Sequence, residues 1–170
     1  VIFRILFGTI CFFNTWIMFR DRYKWYDVKI GYGIRTRSDP HTIPPWPRLC
    51  VWDYFPDHKR SHDIICGVWL LSTIGIAIGF LFPISCFLFL AISTSAVHKN
   101  IMCNHSGDSY IRLLTFILLL GAVLNPVGNT FSVDYYMSNG TANNFGLDLS
   151  WSPWPVRMAM ISWVACYSIA

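Results

Sequence analysis

Residues 64–97 form a run of thirty-four positions without one charged side chain, and 1–19, 110–127 and 156–170 are almost as apolar. A helix rises about 1.5 Å per residue and a bilayer's hydrocarbon core is roughly 30 Å thick, so about 20 apolar residues span it. In lipid the backbone must satisfy its own polar groups, and without the alternating pattern of barrel strands helices are the available solution. As one helix of about 51 Å, 64–97 is too long for a single crossing even when tilted. The pattern therefore predicts two spans, 64–80 and 82–98, joined near Phe80, Leu81, Phe82 and Pro83. Proline lacks an amide donor there and disfavours helix in the residue before it. With further spans at 1–19, 110–127 and 156–170, the expectation is an all-α, polytopic membrane protein of at least five transmembrane helices. Segments 20–63, 99–109 and 128–155 are the connections.

Composition points the same way. The chain is 54% hydrophobic and 13% charged, with no glutamate, and a soluble domain would carry about twice that charge. It opens on a valine within one apolar run and closes on an alanine within another, and is read as one incomplete transmembrane domain, 1–170, of a longer protein. Segment 1–19 has the length of a signal-peptide core, but Arg4 and Asn14 interrupt it and no small-residue cleavage site follows, so a retained span is the better reading.

The net charge of +4 is concentrated: nine of thirteen Lys and Arg residues fall between 20 and 60. Six aspartates share the 20–63 loop with Trp25, Tyr26, Trp46, Trp52 and Tyr54, aromatic residues that favour a membrane interface. No nucleic-acid module accompanies the basic residues, so the expected partners are the lipid bilayer and other membrane-protein subunits, not nucleic acid. The positive-inside rule places the basic loops on the cytoplasmic face, and the sequon at Asn139, Gly140 and Thr141 on the opposite face, where glycosylation is possible.

Polar groups at membrane depth are expensive and draw attention first. Arg4 is one, either a site residue or a side chain snorkelling to the nearer interface. Asn14, Ser72, Thr73, Ser85, Thr115 and Asn125 are read as interhelical hydrogen-bonding groups. His58 and His62 are four apart, a spacing that can bind a metal on a helix. Five scattered histidines are too few for a membrane di-iron site, and a solvated, charged helix start is preferred, with no metal expected. Cys11, Cys66, Cys86 and Cys166 lie in apolar runs and act as small hydrophobes. Cys50 and Cys103 share a face and could be bridged if that face is oxidising.

The densest polar constellation runs from Asn100 to Arg112. Asp108 and Arg112 are four apart and would pair on a helix that Ser106 or Asp108 caps. The functional alternative makes His105 and Asp108 part of a site at the membrane surface, and these two are the catalytic candidates.

These residues also carry a resemblance. Phe3, Arg4 and Gly8 match an opening Phe-Arg-x-x-x-Gly, and Trp25, Tyr26 and Asp27 match an aromatic-acidic step after the first span. Asn104, His105, Ser106, Gly107 and Asp108 fall where relatives have an Asn-Gly-Gly-Asp or Asn-His-Ser-Tyr motif. Asn125, Pro126 and Gly128, then Phe131, Ser132 and Asp134, are similar to a Leu-Pro-x-Gly and Trp/Phe-Ser-x-Asp pair. In this series the chain resembles the HTTM (horizontally transferred transmembrane) domain, the membrane part of vitamin K-dependent gamma-carboxylase. The resemblance implies functional weight for Arg4, Asn104, His105, Asp108, Arg112, Ser132, Asp134, Arg157 and Tyr167.

It also implies a reduced quinone such as vitamin K hydroquinone as cofactor, with His105 near its site and a strong base shielded from water. The chain departs from the pattern at Pro83, where relatives often have arginine, and the lysine matching the carboxylase's base would lie beyond Ala170. Two functions stay open: a quinone-dependent carboxylase-like enzyme, and a non-catalytic structural or accessory subunit of a larger membrane complex. A small-solute transporter is disfavoured by the lack of an internal repeat.

Overall fold

A computed structural model describes residues 2–27, 29, 34, 50–56, 58–100, 102, 106–124 and 133–139. In chain order the helices are α1 (Ile2–Arg20), α2 (Arg22–Tyr26), α3 (Lys59–Ile78), α4 (Phe82–Lys99), α5 (Ser106–Leu124) and α6 (Val133–Asn139), with a 3₁₀ turn at Val51–Tyr54 before α3. Apart from an isolated bridge between Ile34 and Asn100, the described residues are helical or irregular.

The hairpin falls where expected, but glycine makes it. Helix α3 stops at Gly79, whose left-handed backbone (φ 71°) turns the chain while its N–H donates to Gly75 O at 2.9 Å, a conformation glycine adopts without a Cβ penalty. Leu81 is also left-handed (φ 44°), which is costly for an L-residue with a side chain. Pro83 sits in the first turn of α4, where its missing N–H is harmless. At the other end α3 begins at Lys59, five residues ahead of the apolar run, because the polar residues 59–63 continue the helix into its solvated turn. Helix α4 closes on the basic residues His98 and Lys99, a residue type that suits the negative end of the helix dipole.

The long helices pack in the sequence α1 on α3, α3 on α4 and α4 on α5. Phe7, Cys11, Cys66, Trp69, Cys86 and Phe89 lie in the shared core. Two close approaches set the geometry. A Cβ on Gly8 of α1 would lie 2.6 Å from Ala77 Cα of α3, and one on Gly75 would collide with Ser85 of α4. Small residues that let backbones approach closely are how helices associate when burial from water is not the driving force.

The expected five spans are corrected. Among the described residues only α3 and α4 are long and apolar enough to cross a membrane. Helix α1 is interrupted by Arg4 and Asn14 and ends on Arg20. Helix α5 spends its first two turns on Ser106, Gly107, Asp108, Ser109 and Arg112, and the remaining stretch of about 12 residues rises only about 18 Å. The expected span at 156–170 lies outside the described residues.

The buried hydroxyls also act differently from expectation. Ser72 donates to Trp69 O at 2.6 Å, Thr73 to Leu70 O at 2.7 Å and Thr115 to Ile111 O at 2.8 Å, each within its own helix. Ser85 donates to Phe80 O of the hairpin turn at 2.9 Å. Such bonds back to a carbonyl three to five residues earlier satisfy the hydroxyl at home. These residues are therefore small, self-satisfied packing surfaces, not links between helices. Asn14 does make an interhelical bond, and Asn125 lies outside the described residues.

Candidate functional site

Three polar clusters punctuate the bundle. The first lies between α1 and α5. Asn14 Nδ2 donates to Asp108 Oδ1 at 2.9 Å, across 94 residues of sequence. Asp108 stands in the first turn of α5, where a carboxylate favours the positive end of the helix dipole. Arg112, one turn on, lies within electrostatic reach of Asp108 and donates from Nη2 to Ser109 Oγ at 3.0 Å. With Tyr26, Trp69 and Ser93, the side chains of Asn14, Asp108 and Arg112 line an open cleft that has room for little more than a water molecule. The indole Nε1 of Trp69 is buried there without a hydrogen-bond partner among the described residues.

The second cluster closes the α3–α4 turn. Asp134, in the first turn of α6, accepts from Leu81 N at 2.7 Å through Oδ1 and from Phe82 N at 2.9 Å through Oδ2, while its own N–H donates to Gly79 O at 3.2 Å. Leu81 is the N-cap of α4 and offers no side-chain cap of its own. Asp134 thus supplies from another element the anionic cap that the local sequence lacks. Arg4, buried in α1, lies within electrostatic reach of this carboxylate. Helix α1 therefore brings its one interior cation to the end of the bundle where the hairpin turns.

The third cluster ties the opposite end together. Arg22 Nε and Tyr23 Oη both donate to Asp63 Oδ1, the latter at 2.7 Å, and Arg22 Nη1 donates to Phe19 O at 2.8 Å. The Arg22 guanidinium also lies 4.5 Å from the ring centroids of Phe19 and Tyr23. Burial is the largest single effect on Arg22 and opposes its charge, but the bond to Asp63, the Asp63 charge and the contacts with Tyr23 together outweigh it and hold the guanidinium more firmly protonated. The hydrogen bond to Asp63 likewise pushes the Tyr23 phenol above its ordinary value. Bonds from Arg20 and then Lys24 hold the Asp21 carboxyl below its usual range.

Beside this network Trp52 Nε1 donates to His62 Nδ1 at 3.1 Å, and Trp52 stacks on Tyr26 with centroids 4.8 Å apart. His62 is fully buried, so the solvated, charged helix start expected there holds for exposed His58 and fails for His62. Asn100 Nδ2 donates to Trp25 O at 2.9 Å and Asn100 Oδ1 accepts from Met102 N at 3.0 Å, fastening the end of α4 to α2. Cys50 is buried with its Sγ directed at Ser95 O, and Cys103, its expected partner, lies outside the described residues.

Of the residues singled out from the sequence, Arg4 meets Asp134, and Asp108 and Arg112 share the cleft with Asn14. Asn104, His105, Ser132, Arg157 and Tyr167 lie outside the described residues. Asn139 ends α6, and the rest of its sequon, Gly140 and Thr141, is likewise outside them. Trp52 and His62 were not paired by sequence reasoning, although the aromatic content of the 20–63 loop and the histidine at 62 were both visible. No group of His, Cys and Asp side chains able to hold a metal occurs among the described residues.

The chain matches no family model, no curated protein and no solved structure. A quinone, the cofactor implied by the HTTM resemblance, does not fit the cleft beside Asp108, whose enclosed space is water-sized as the described residues leave it.

Proposed function

We propose that this chain is the helical core of an integral membrane protein, with the α3–α4 hairpin crossing the bilayer, and that its polar residues assemble the helices as a scaffold within a larger membrane complex. One observation carries this reading: the hairpin turns large apolar side chains outward, while its hydroxyl side chains are buried among the apolar core. Leu71 is 66% exposed and Phe87 60%, while Ser72, Thr73, Ser85 and Ser93 are buried. Ile64, Leu71, Ile74 and Ile78 form a continuous outward stripe along α3. An apolar surface of that extent is stable against lipid or protein, not water. The lengths agree, since 20 residues in α3 and 18 in α4 rise about 30 and 27 Å against a hydrocarbon core of roughly 30 Å.

A scaffold role is supported by what the polar side chains already do. Asp134 closes the hairpin turn, Asn14 joins α1 to α5 and Asn100 joins α4 to α2. The test is fractionation followed by labelling. Alkaline carbonate leaves the protein in the membrane pellet and detergent releases it. Single cysteines placed at Leu71 and Phe87 resist a membrane-impermeant maleimide that labels one at Tyr54. Release by carbonate, or equal labelling at all three positions, overturns the reading.

The HTTM resemblance supplies a second reading, membership of that domain family. The supporting observation is that Arg4 and Asp134, from the first and last of the described helices, come within electrostatic reach of each other, and both fall in stretches that resemble family motifs. Its test is quinone-dependent glutamyl carboxylation by the protein that contains this chain, compared with its His105→Ala variant. Carboxylation unaffected by the substitution removes the role implied for His105, and no carboxylation leaves the scaffold alone.

A further inference from the structure

Trp69, midway along α3, is 6% exposed, and its Nε1 is buried without a hydrogen-bond partner among the described residues. An indole nitrogen only donates, and a buried donor that gave up water on folding is destabilising until an acceptor meets it. Trp69 forms part of the wall of the cleft in which Asn14, Ser93, Asp108 and Arg112 also lie. Phe89, another wall residue, packs against it with the two rings 6.3 Å apart and tilted by 52°. The cavity volume is about 20 Å³, where one water requires roughly 10–15 Å³. Chemistry narrows the occupant further. The wall carries a donor at Trp69 and acceptors at the Asp108 carboxylate and Ser93 Oγ, whose own proton goes to Leu90 O at 3.1 Å. Asp108 and Arg112 lie within electrostatic reach of each other, so their formal charges balance and the cleft has no surplus charge to draw in an ion. A bare anion would meet the Asp108 carboxylate, and a bare cation would leave the Trp69 N–H unmet. A molecule that accepts and donates at once answers both sides, and at this size that molecule is water.

We propose that this cleft is a site for one internal water, which accepts from Trp69 Nε1 and donates to the Asp108 carboxylate and to Ser93 Oγ. Its role rests on the scaffold reading above, while the site itself is independent of a bilayer. Asn14 already bonds Asp108, so the water completes a polar connection among all four long helices: Asn14 from α1, Trp69 from α3, Ser93 from α4 and Asp108 from α5. Helices α3 and α5 are not neighbours in the packing order α1, α3, α4, α5. The water joins them, and bridging bonds of this kind are nearly as favourable in enthalpy as direct ones.

The test is nuclear magnetic resonance of the full-length protein in detergent micelles, deuterated at carbon and labelled with nitrogen-15, the Trp69 indole being identified by its loss in Trp69→Phe. Cross-peaks to the water line are compared in laboratory-frame and rotating-frame Overhauser spectra. The Trp69 Nε1–H shows a cross-peak of opposite sign in the two, the mark of a water held beside it. The peak persists in Y26F/S93A, which removes the two hydroxyls of the cleft that could relay exchange with solvent. Asp108→Asn retains an acceptor oxygen and keeps the peak, whereas Asp108→Leu loses it. No cross-peak in the parent protein, a peak of equal sign in both spectra, its loss in Y26F/S93A, or its persistence in Asp108→Leu overturns the site. Release of the protein from membranes by alkaline carbonate is a separate result, which overturns the membrane reading and leaves the water site standing.

Discussion

Replacing Asp134 with alanine removes the carboxylate that closes the α3–α4 turn. Two backbone donors lose their partner at once, Leu81 N at 2.7 Å and Phe82 N at 2.9 Å. The next residue, Pro83, has no N–H to share the role, and Leu81 supplies no side-chain cap. A hydrogen bond to a charged group contributes about 1.5–3 kcal/mol when buried. Because this pair is only partly buried, the two together are better set beside a strong cap loss of about 2 kcal/mol. Hydrogen exchange in detergent or vesicles reads this locally: the Leu81 and Phe82 amides should exchange about thirtyfold faster in Asp134→Ala, each 1.4 kcal/mol being tenfold. Asp134→Asn retains one acceptor oxygen and should fall between, at about 1 kcal/mol. Amides near Ser95 and Ala96, at the far end of α4, should keep their protection. The reasoning fails if the Leu81 and Phe82 rates are unchanged, or if loss of protection spreads evenly along α4.

Gly8→Ala should destabilise by about 1–3 kcal/mol, since its Cβ would meet Ala77 backbone at 2.6 Å. In contrast Gly67→Ala meets nothing within 4 Å and should be neutral or stabilising by up to about 1 kcal/mol; equal effects in chemical denaturation would refute the close α1–α3 approach. A double-mutant cycle of Asn14→Ala with Asp108→Ala should give a coupling of about 0.6 kcal/mol or more, and additivity would show the α1–α5 bond to be idle. Trp52→Phe should cost about 1–3 kcal/mol by leaving His62 Nδ1 buried without its donor, whereas Tyr54→Phe, on an exposed ring, should change the melting midpoint little. Tyr23 donates to Asp63, so its folded pKa is raised. That contribution is fully present below the ordinary phenol pKa of about 10 and is lost as pH rises through the higher folded value. Subtracting the 295 nm titration of Tyr23→Phe from that of the parent should isolate a phenolate appearing above pH 10, and a midpoint at or below that value would contradict the bond.

The helical class and the position of the hairpin were legible because both depend on local features. An uncharged run too long for one crossing must be broken, and Gly79 and Pro83 mark where. The number of spans was misread because apolar length alone was counted: Arg4 and Asn14 in α1, and the polar opening of α5, use up helix that the run-length argument assigned to lipid. The buried hydroxyls were misassigned for a different reason, since a serine or threonine in a helix can always reach its own carbonyls and needs no neighbour. Asp108 was visible in the sequence as a helix-start carboxylate, but nothing local pointed to Asn14 as its donor.

What the sequence determined by itself is the set of pieces: apolar helices, a hairpin, and polar residues gathered at their ends. Only the tertiary structure decided which polar residues meet. Asp134 reaches Leu81 and Phe82 across 53 and 52 positions, and Asn14 reaches Asp108 across 94. Those meetings depend on how each helix is rotated and shifted against the next. Contacts such as Gly8 on Ala77 and Gly75 on Ser85 set that register, and a helix's own residue pattern does not specify it.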